Sequence, residues 1–371
     1  MGVALRYLFL CPEVSAPSGG VAVIYACVEM LRGAGYDAAV LHARPDYRYG
    51  NTPFNPPVVF SPELEQGIAL QSGRRRRLHY LAQTLGRRIV PIKAESVSVS
   101  ARDVLVVPEF MIRTAAKTFP EQAKVIFSQN SFSYIDFCHK ALMEGFDPDR
   151  GVICNIGINE TSMDAFALMS HCPQRRIVVS PNLGLFSFGQ RKRPKIAYMP
   201  RKRKRAAEFL HFMLSERGLV SDFELVSLDR MPQAEVARHL HDSLIFVSLM
   251  KEEALGFPGI EAMASGCIVV GYTGLGTEEY FTPQTGFPVR EGDTAGLVMT
   301  VERVAADYRR DPAALDALRR HASELVRSRY NPEAFRSTLL AAWADIDGMA
   351  RSAGPTAKDS SGLALGRKSV N

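Results

Sequence analysis

Two carboxylates, a helix start and a run of cations are the parts of this sequence best suited to act on a ligand. Glu253 and Glu261 are separated by seven residues, with Gly256-Phe257-Pro258 between them. Carboxylates accept hydrogen bonds from hydroxyls, and two of them suit the vicinal hydroxyls of a ribose or a hexose. Pro258 fits the first turn of a helix that Gly266 would stop, and the free amides near Gly256 and Phe257 favour a phosphate or a sugar hydroxyl. This spacing predicts Glu253 in a loop and Glu261 in the first helical turn, both facing one cleft. Arg201, Lys202 and Lys204 lie in a basic run, Arg201 to Arg205, able to neutralise phosphate. The competing readings are a merely solvated Glu253, a Glu261 that complements the helix dipole, and a basic run that is surface charge or a nucleic-acid patch.

The elements needed to hold these groups are legible as apolar runs of strand length alternating with amphipathic stretches, the pattern of an α/β protein with parallel sheets. Strands are predicted at 5–10, 38–42, 103–107, 124–128, 151–155 and 176–180, one doubly wound half. A segment at 181–194 rich in Gly, Pro and basic residues reads as a linker. A second half follows, with strands at 195–199, 223–227, 244–248 and 267–271 and helices at 296–308, 312–329 and 332–350. The loop carrying Glu253 then falls at the carboxyl end of a parallel strand, where open α/β sheets bind ligands. In the first half, Gly19 and Gly20 open a helix after the first strand, so a phosphate could approach the backbone there. Neither G-x-G-x-x-G nor a GK[ST] P-loop is present, which argues against a dinucleotide oxidoreductase and a P-loop kinase. Glu109 and the pair Gln129-Asn130 follow further strands and are candidate acceptor-side groups.

The order from Glu253 to Val270, EALGFPGIEAMASGCIVV, resembles the nucleotide-sugar motif of retaining GT-B glycosyltransferases, family 4 in particular. The resemblance implies two Rossmann-like doubly wound domains facing a central cleft. It also implies transfer of a sugar from a nucleotide diphosphate sugar to an acceptor hydroxyl, on a glycan, lipid-linked or polysaccharide acceptor, with retention at the anomeric carbon. In that reading Glu261 holds the ribose hydroxyls and Glu253 a hydroxyl of the donor sugar, with Gly256, Phe257 and Pro258 near the transferred group. Gly276 and Thr277 stand in the next donor loop, which lacks the family's proline. Arg201, with Lys202 or Lys204, grips the diphosphate, so no metal and no cofactor beyond the donor is expected. The family's histidine after an N-terminal strand is missing; Ser128-Gln129-Asn130-Ser131 stands there, and His139 is nine residues beyond Asn130. The implied domains are 1–180 on the acceptor side, the linker, 195–331 for the donor, and a helix at 332–350 crossing back.

Composition bounds the rest. The 371 residues carry 45 Lys and Arg against 39 Asp and Glu, a net +6, with the excess clumped at 74–77, 87–88, 191–195 and 201–205. The longest apolar run is far short of the roughly 20 residues of a membrane span. The amino terminus has no signal-peptide pattern, so the expected location is cytoplasmic, with Arg74 to Arg77 a candidate for peripheral contact with the inner face of the membrane. Six cysteines without a C-x-x-C pair suggest neither zinc nor disulfides. Residues 351–371 lack periodicity and read as a disordered tail. The alternatives are a non-catalytic GT-B sugar- or partner-binding module, a GT-B sugar epimerase, and a nucleic-acid-binding protein; the last lacks a stacking platform, and no nucleic-acid partner is expected.

Overall fold

A computed structural model describes residues 4–71 and 95–353. The basic clusters at 74–77 and 87–88, and the segment from 354 onward, lie outside the described residues. The first sheet contains β1 (Arg6–Leu10), β2 (Asp37–His42), β3 (Val58–Phe60), β4 (Asp103–Pro108), β5 (Lys124–Ser128), β6 (Val152–Gly157) and β7 (Gln174–Arg176), in the order β3-β2-β1-β4-β5-β6-β7. The second contains β8 (Arg193–Tyr198), β9 (Glu224–Ser227), β10 (Ser243–Leu249), β11 (Ile268–Tyr272) and β12 (Phe287–Val289), ordered β12-β11-β10-β8-β9. Every paired strand is parallel. Covered by helices on both faces, such strands are apolar throughout rather than alternating; all seven residues of β10 are buried.

The helices are α1 (Gly19–Gly33), α2 (Pro62–Gln71), α3 (Ile112–Thr118), α4 (Ser131–Met143), α5 (Glu160–Met169), α6 (Lys204–Arg217), α7 (Gln233–Asp242), α8 (Phe257–Ala264), α9 (Thr294–Arg310), α10 (Pro312–Arg329) and α11 (Pro332–Ala353). Strand order reverses between β1 and β4 in one sheet and between β8 and β10 in the other. Those are the switch points at which open sheets leave a crevice. Helix α11 lies on the first sheet: Trp343 stacks on Phe9 at 5.3 Å, and Tyr7 donates to Asp347 at 2.7 Å.

Several expectations need correction. The last strand of the first sheet is 174–176, not 176–180. The Ile177 amide still donates to the Gly157 carbonyl, but Val178 donates to Thr338 Oγ1 on α11 and so leaves the ladder. The helix at the carboxyl end runs to Ala353, so 351–353 are not tail; Arg351 pairs with Asp347 one turn back. Arg193 and Pro194, read as linker, already belong to β8. The 191–195 cluster is not simply surface charge. Lys192 Nζ donates to the carbonyls of Leu240 (2.9 Å), His241 (2.8 Å) and Ser265 (2.7 Å), at the ends of α7 and α8, where a cation complements the helix dipole. Lys195 is buried against Glu224 at 3.3 Å.

Candidate active site

Between β10 and α8 the chain makes a tight loop that a second loop, Thr273 to Thr277, braces. The Glu253 amide donates to the Gly274 carbonyl at 3.0 Å, and Glu253 bridges Leu275. Gly256 has φ +60°, and a Cβ there would sit 2.3 Å from Met250 Sδ. A Cβ on Gly276 would sit 2.0 Å from the Glu253 carbonyl. Thr277 Oγ1 donates to the Thr273 carbonyl at 2.6 Å, and Tyr280 Oη to that of Gly256 at 2.9 Å. Among the described residues the amides of Gly256 and Phe257 donate to no protein acceptor, and no side chain caps α8. These two N–H groups lie at the positive end of the helix.

Lys202 Nζ lies 2.7 Å from Glu253 Oε1 and 3.2 Å from the Lys251 carbonyl. An ammonium has three hydrogens, so one remains for a ligand oxygen. Arg201 and Lys204 are exposed, Lys204 as the first residue of α6. Arg203 is committed to the fold: its Nε donates to the Met250 carbonyl at 3.3 Å, its guanidinium lies 4.9 Å from the Tyr272 ring centroid, and it pairs with Glu291. Helix α6 has no acidic residue in its first turn and no side-chain cap.

Glu261 sits in the second turn of α8, not the first, because the helix already begins at Phe257, four residues before it. It is buried, and burial pushes its carboxyl up to about 7, against one opposing hydrogen bond from Gln233 Nε2 at 3.2 Å. That single neutral donor leaves most of its acceptor capacity unused.

The first domain supplies the facing wall. Gly19 and Gly20 open α1, capped by Ser18. A Cβ on Gly19 would lie 3.0 Å from the Phe257 ring, so the starts of α1 and α8 confront each other. Gln129 Nε2 donates to the Gly20 carbonyl at 3.1 Å, and its backbone amide donates to Glu109 Oε2 at 3.0 Å. Glu109 directly follows β4, is buried, and is pushed up to about 7 by that burial. Asn130 caps α4 and donates to the Glu252 carbonyl at 2.8 Å. His139 is exposed on α4.

The residues singled out in the sequence thus gather at the carboxyl ends of strands beside the two switch points, except that Arg201 and Lys204 point to solvent at the rim. Sequence reasoning missed Gln233, Arg203 and Asn159. Only Arg203, inside the basic run, carried any signal.

Residues 224–322 match the family described as Glycosyl transferases group 1. An Alpha-1,6-glucosyltransferase from Actinobacillus pleuropneumoniae serotype 7 (strain AP76) is 24% identical over 250 residues, spanning 62% of this chain and 71% of that protein. Among solved structures, a sucrose-phosphate synthase from Thermosynechococcus elongatus aligns with TM-score 0.59 and 15% identity over 92% of this chain and 99% of that one. HepE from Anabaena, in complex with UDP and glucose, aligns with TM-score 0.59 and 13% identity over 93% and 99%. TarM aligns with TM-score 0.61 and 10% identity over 92% and 98%. The chain therefore has the GT-B fold, two Rossmann-like domains, and carries a glycosyltransferase group 1 domain. Among the described residues no helix is long and apolar enough to cross a membrane.

Proposed function

We propose that this chain transfers a sugar, with glucose the first to test, from a nucleoside diphosphate sugar to an acceptor hydroxyl, with retention at the anomeric carbon. One observation carries the reading. Five consecutive basic residues, Arg201 to Arg205, sit at the positive end of α6 beside the uncapped start of α8. Helix dipoles favour anions at such ends, so the arrangement works against local stability. Rule-breaking of this kind is expected where a site is built for a ligand. Glu253 and Glu291 offset only part of the charge, through Lys202 and Arg203. A diphosphate completes the balance.

In this reading Glu261 receives the ribose hydroxyls and Glu253, oriented by Lys202, a hydroxyl of the sugar. As the bond to the leaving diphosphate stretches, negative charge grows beside Lys202, Arg201 and the amides of Gly256 and Phe257. Preorganised donors lower the barrier by stabilising that charge. The chain's own cations supply it, so the proposal includes no metal. Glu109 and Gln129, on the facing wall, belong to the acceptor side. The relative's glucosyltransferase name and the UDP and glucose in the HepE complex support UDP-glucose as the first donor.

The test is a thermal-shift screen of UDP, GDP, dTDP and ADP, followed by hydrolysis of the matching nucleotide glucose by wild type and Glu253→Ala. Expected are one preferred nucleotide and a loss of turnover in the variant of roughly 10²-fold or more. No nucleotide binding together with no turnover refutes the proposal.

A further inference from the structure

Two asparagines at consecutive helix starts of the first domain do the same unusual thing. Asn130 Oδ1 accepts the Ser133 amide at 3.0 Å and so caps α4. Asn159 Oδ1 accepts the Ser162 amide at 3.1 Å, and the Ser162 hydroxyl at 2.6 Å, and so caps α5. Capping uses the oxygen and fixes the amide plane, which leaves each NH₂ aimed away from its helix. Both are aimed across the cleft. Asn130 Nδ2 donates to the Glu252 carbonyl at 2.8 Å, while Asn159 Nδ2 donates to the carbonyls of Ala254 at 2.7 Å and Gly276 at 3.2 Å.

Those carbonyls bracket Glu253 on both sides and reach the loop that braces it. The segment they hold is strained: Glu252 and Leu275 have φ of +47° and +72°, a region that side chains avoid. Asn159 is fully buried, so its NH₂ depends on the second domain for its partners.

We infer that Asn130 and Asn159 form an interdomain latch: helix-cap amides of the first domain hold the backbone on either side of Glu253 in its working position when the cleft is closed. They are positioning residues, acting through Glu253 rather than on substrate. This rests on the proposed function for its kinetic consequence but not for its structural one.

Asparagine to aspartate separates the two jobs. Aspartate caps a helix as well as asparagine does, yet it cannot donate, and it turns an oxygen toward carbonyl oxygens. For Asn159→Asp in the full chain without nucleotide, hydrogen exchange in 250–256 and 274–277 should speed up roughly tenfold or more, with the rest of the chain unchanged. Hydrolysis of UDP-glucose should fall roughly tenfold or more in kcat, with KM changed less than about threefold. Asn130→Asp, whose side chain is only half-buried, should move the same readouts less and serves if Asn159→Asp does not fold. Unchanged exchange in both loops, or faster exchange spread evenly over the chain, overturns the latch. If wild type neither binds UDP nor turns over UDP-glucose, the proposed function fails, and the exchange measurement still decides the latch.

Discussion

Glu261 gives the most quantitative handle on the site. Burial holds its carboxyl at about 7, against an ordinary 4.5. If it receives ribose hydroxyls, each donated hydrogen bond favours the ionised form and draws the pKa back down. Should binding restore the ordinary value, a protein at pH 6 starts roughly 0.9 protonated and ends almost fully ionised, so binding releases roughly 0.9 proton; at pH 8 it releases roughly 0.1. By linkage, affinity is level above pH 7 and falls about tenfold for each pH step below it, to a limit of about 300-fold, or about 3 kcal/mol, near pH 4.5. The assay is calorimetric titration with UDP-glucose in two buffers of different ionisation enthalpy. The sugar-substituted diphosphate is preferable to UDP because it has no terminal phosphate to titrate in this range. Glu261→Gln should release no proton and show a flat profile. Glu109→Gln should release as wild type does, which keeps the two carboxyls apart. A wild type that releases nothing at pH 6, or a Glu261→Gln that releases as much as wild type, would refute the assignment.

Glu109 makes a prediction about stability. Its folded pKa, about 7, lies above its unfolded value, so its contribution is fully present below about pH 4.5 and is lost as pH rises through about 7. Denaturant titrations should therefore show Glu109→Gln gaining on wild type between pH 5 and pH 8 by up to about 2.5 kcal/mol; an equal difference at both pH values contradicts it. At Gly256, alanine meets φ +60° and a contact 2.3 Å from Met250 Sδ. The strain and overpacking should cost about 2–4 kcal/mol and lower the thermal midpoint, with donor hydrolysis falling too; a midpoint equal to wild type's would show that the loop relaxes freely.

What the sequence made legible was what repeats locally. The strand at 124–128 and the helix at 312–329 have the bounds that apolar continuity and an Asp-Pro start imply. The three-residue strands β3 and β12 are too short to leave a pattern and exist because longer neighbours offer free edges. In the site, Gly256 and Gly276 announced themselves because no other residue fits. Gln233 and Asn159 did not. Gln233 finds Glu261 across 28 positions, and Asn159 finds Ala254 and Gly276 across 95 and 117. The first bond is made by two helices packing within the second domain and the others by the meeting of the two domains, and neither has a local signature. The placing of Glu261 in the first turn failed because the helix starts at Phe257, one residue ahead of Pro258, and spacing does not mark the exact start.

The basic clusters show how little composition alone decides. Runs 191–195 and 201–205 look alike in the sequence, yet Lys192 is half-buried against carbonyls and Lys195 buried against a carboxylate, while Arg201, Lys202 and Lys204 stand free or half-free at a helix start. The difference lies in the helix pole each meets. Lys192 reaches carbonyl ends, where a cation is satisfied by the protein itself. Residues 201–205 meet an amino end, where a cation is left with charge to spare. A protein that tracks a nucleic-acid backbone needs an exposed stripe of cations that neutralises many phosphates in register. Here, among the described residues, two of the four cations of one run, Lys192 and Lys195, are taken up by the fold, and the other run meets a cleft mouth already partly offset by Glu253 and Glu291. Among the described residues, the positive charge left at this helix start is one-ended, which fits a diphosphate held at one point rather than a chain of phosphates.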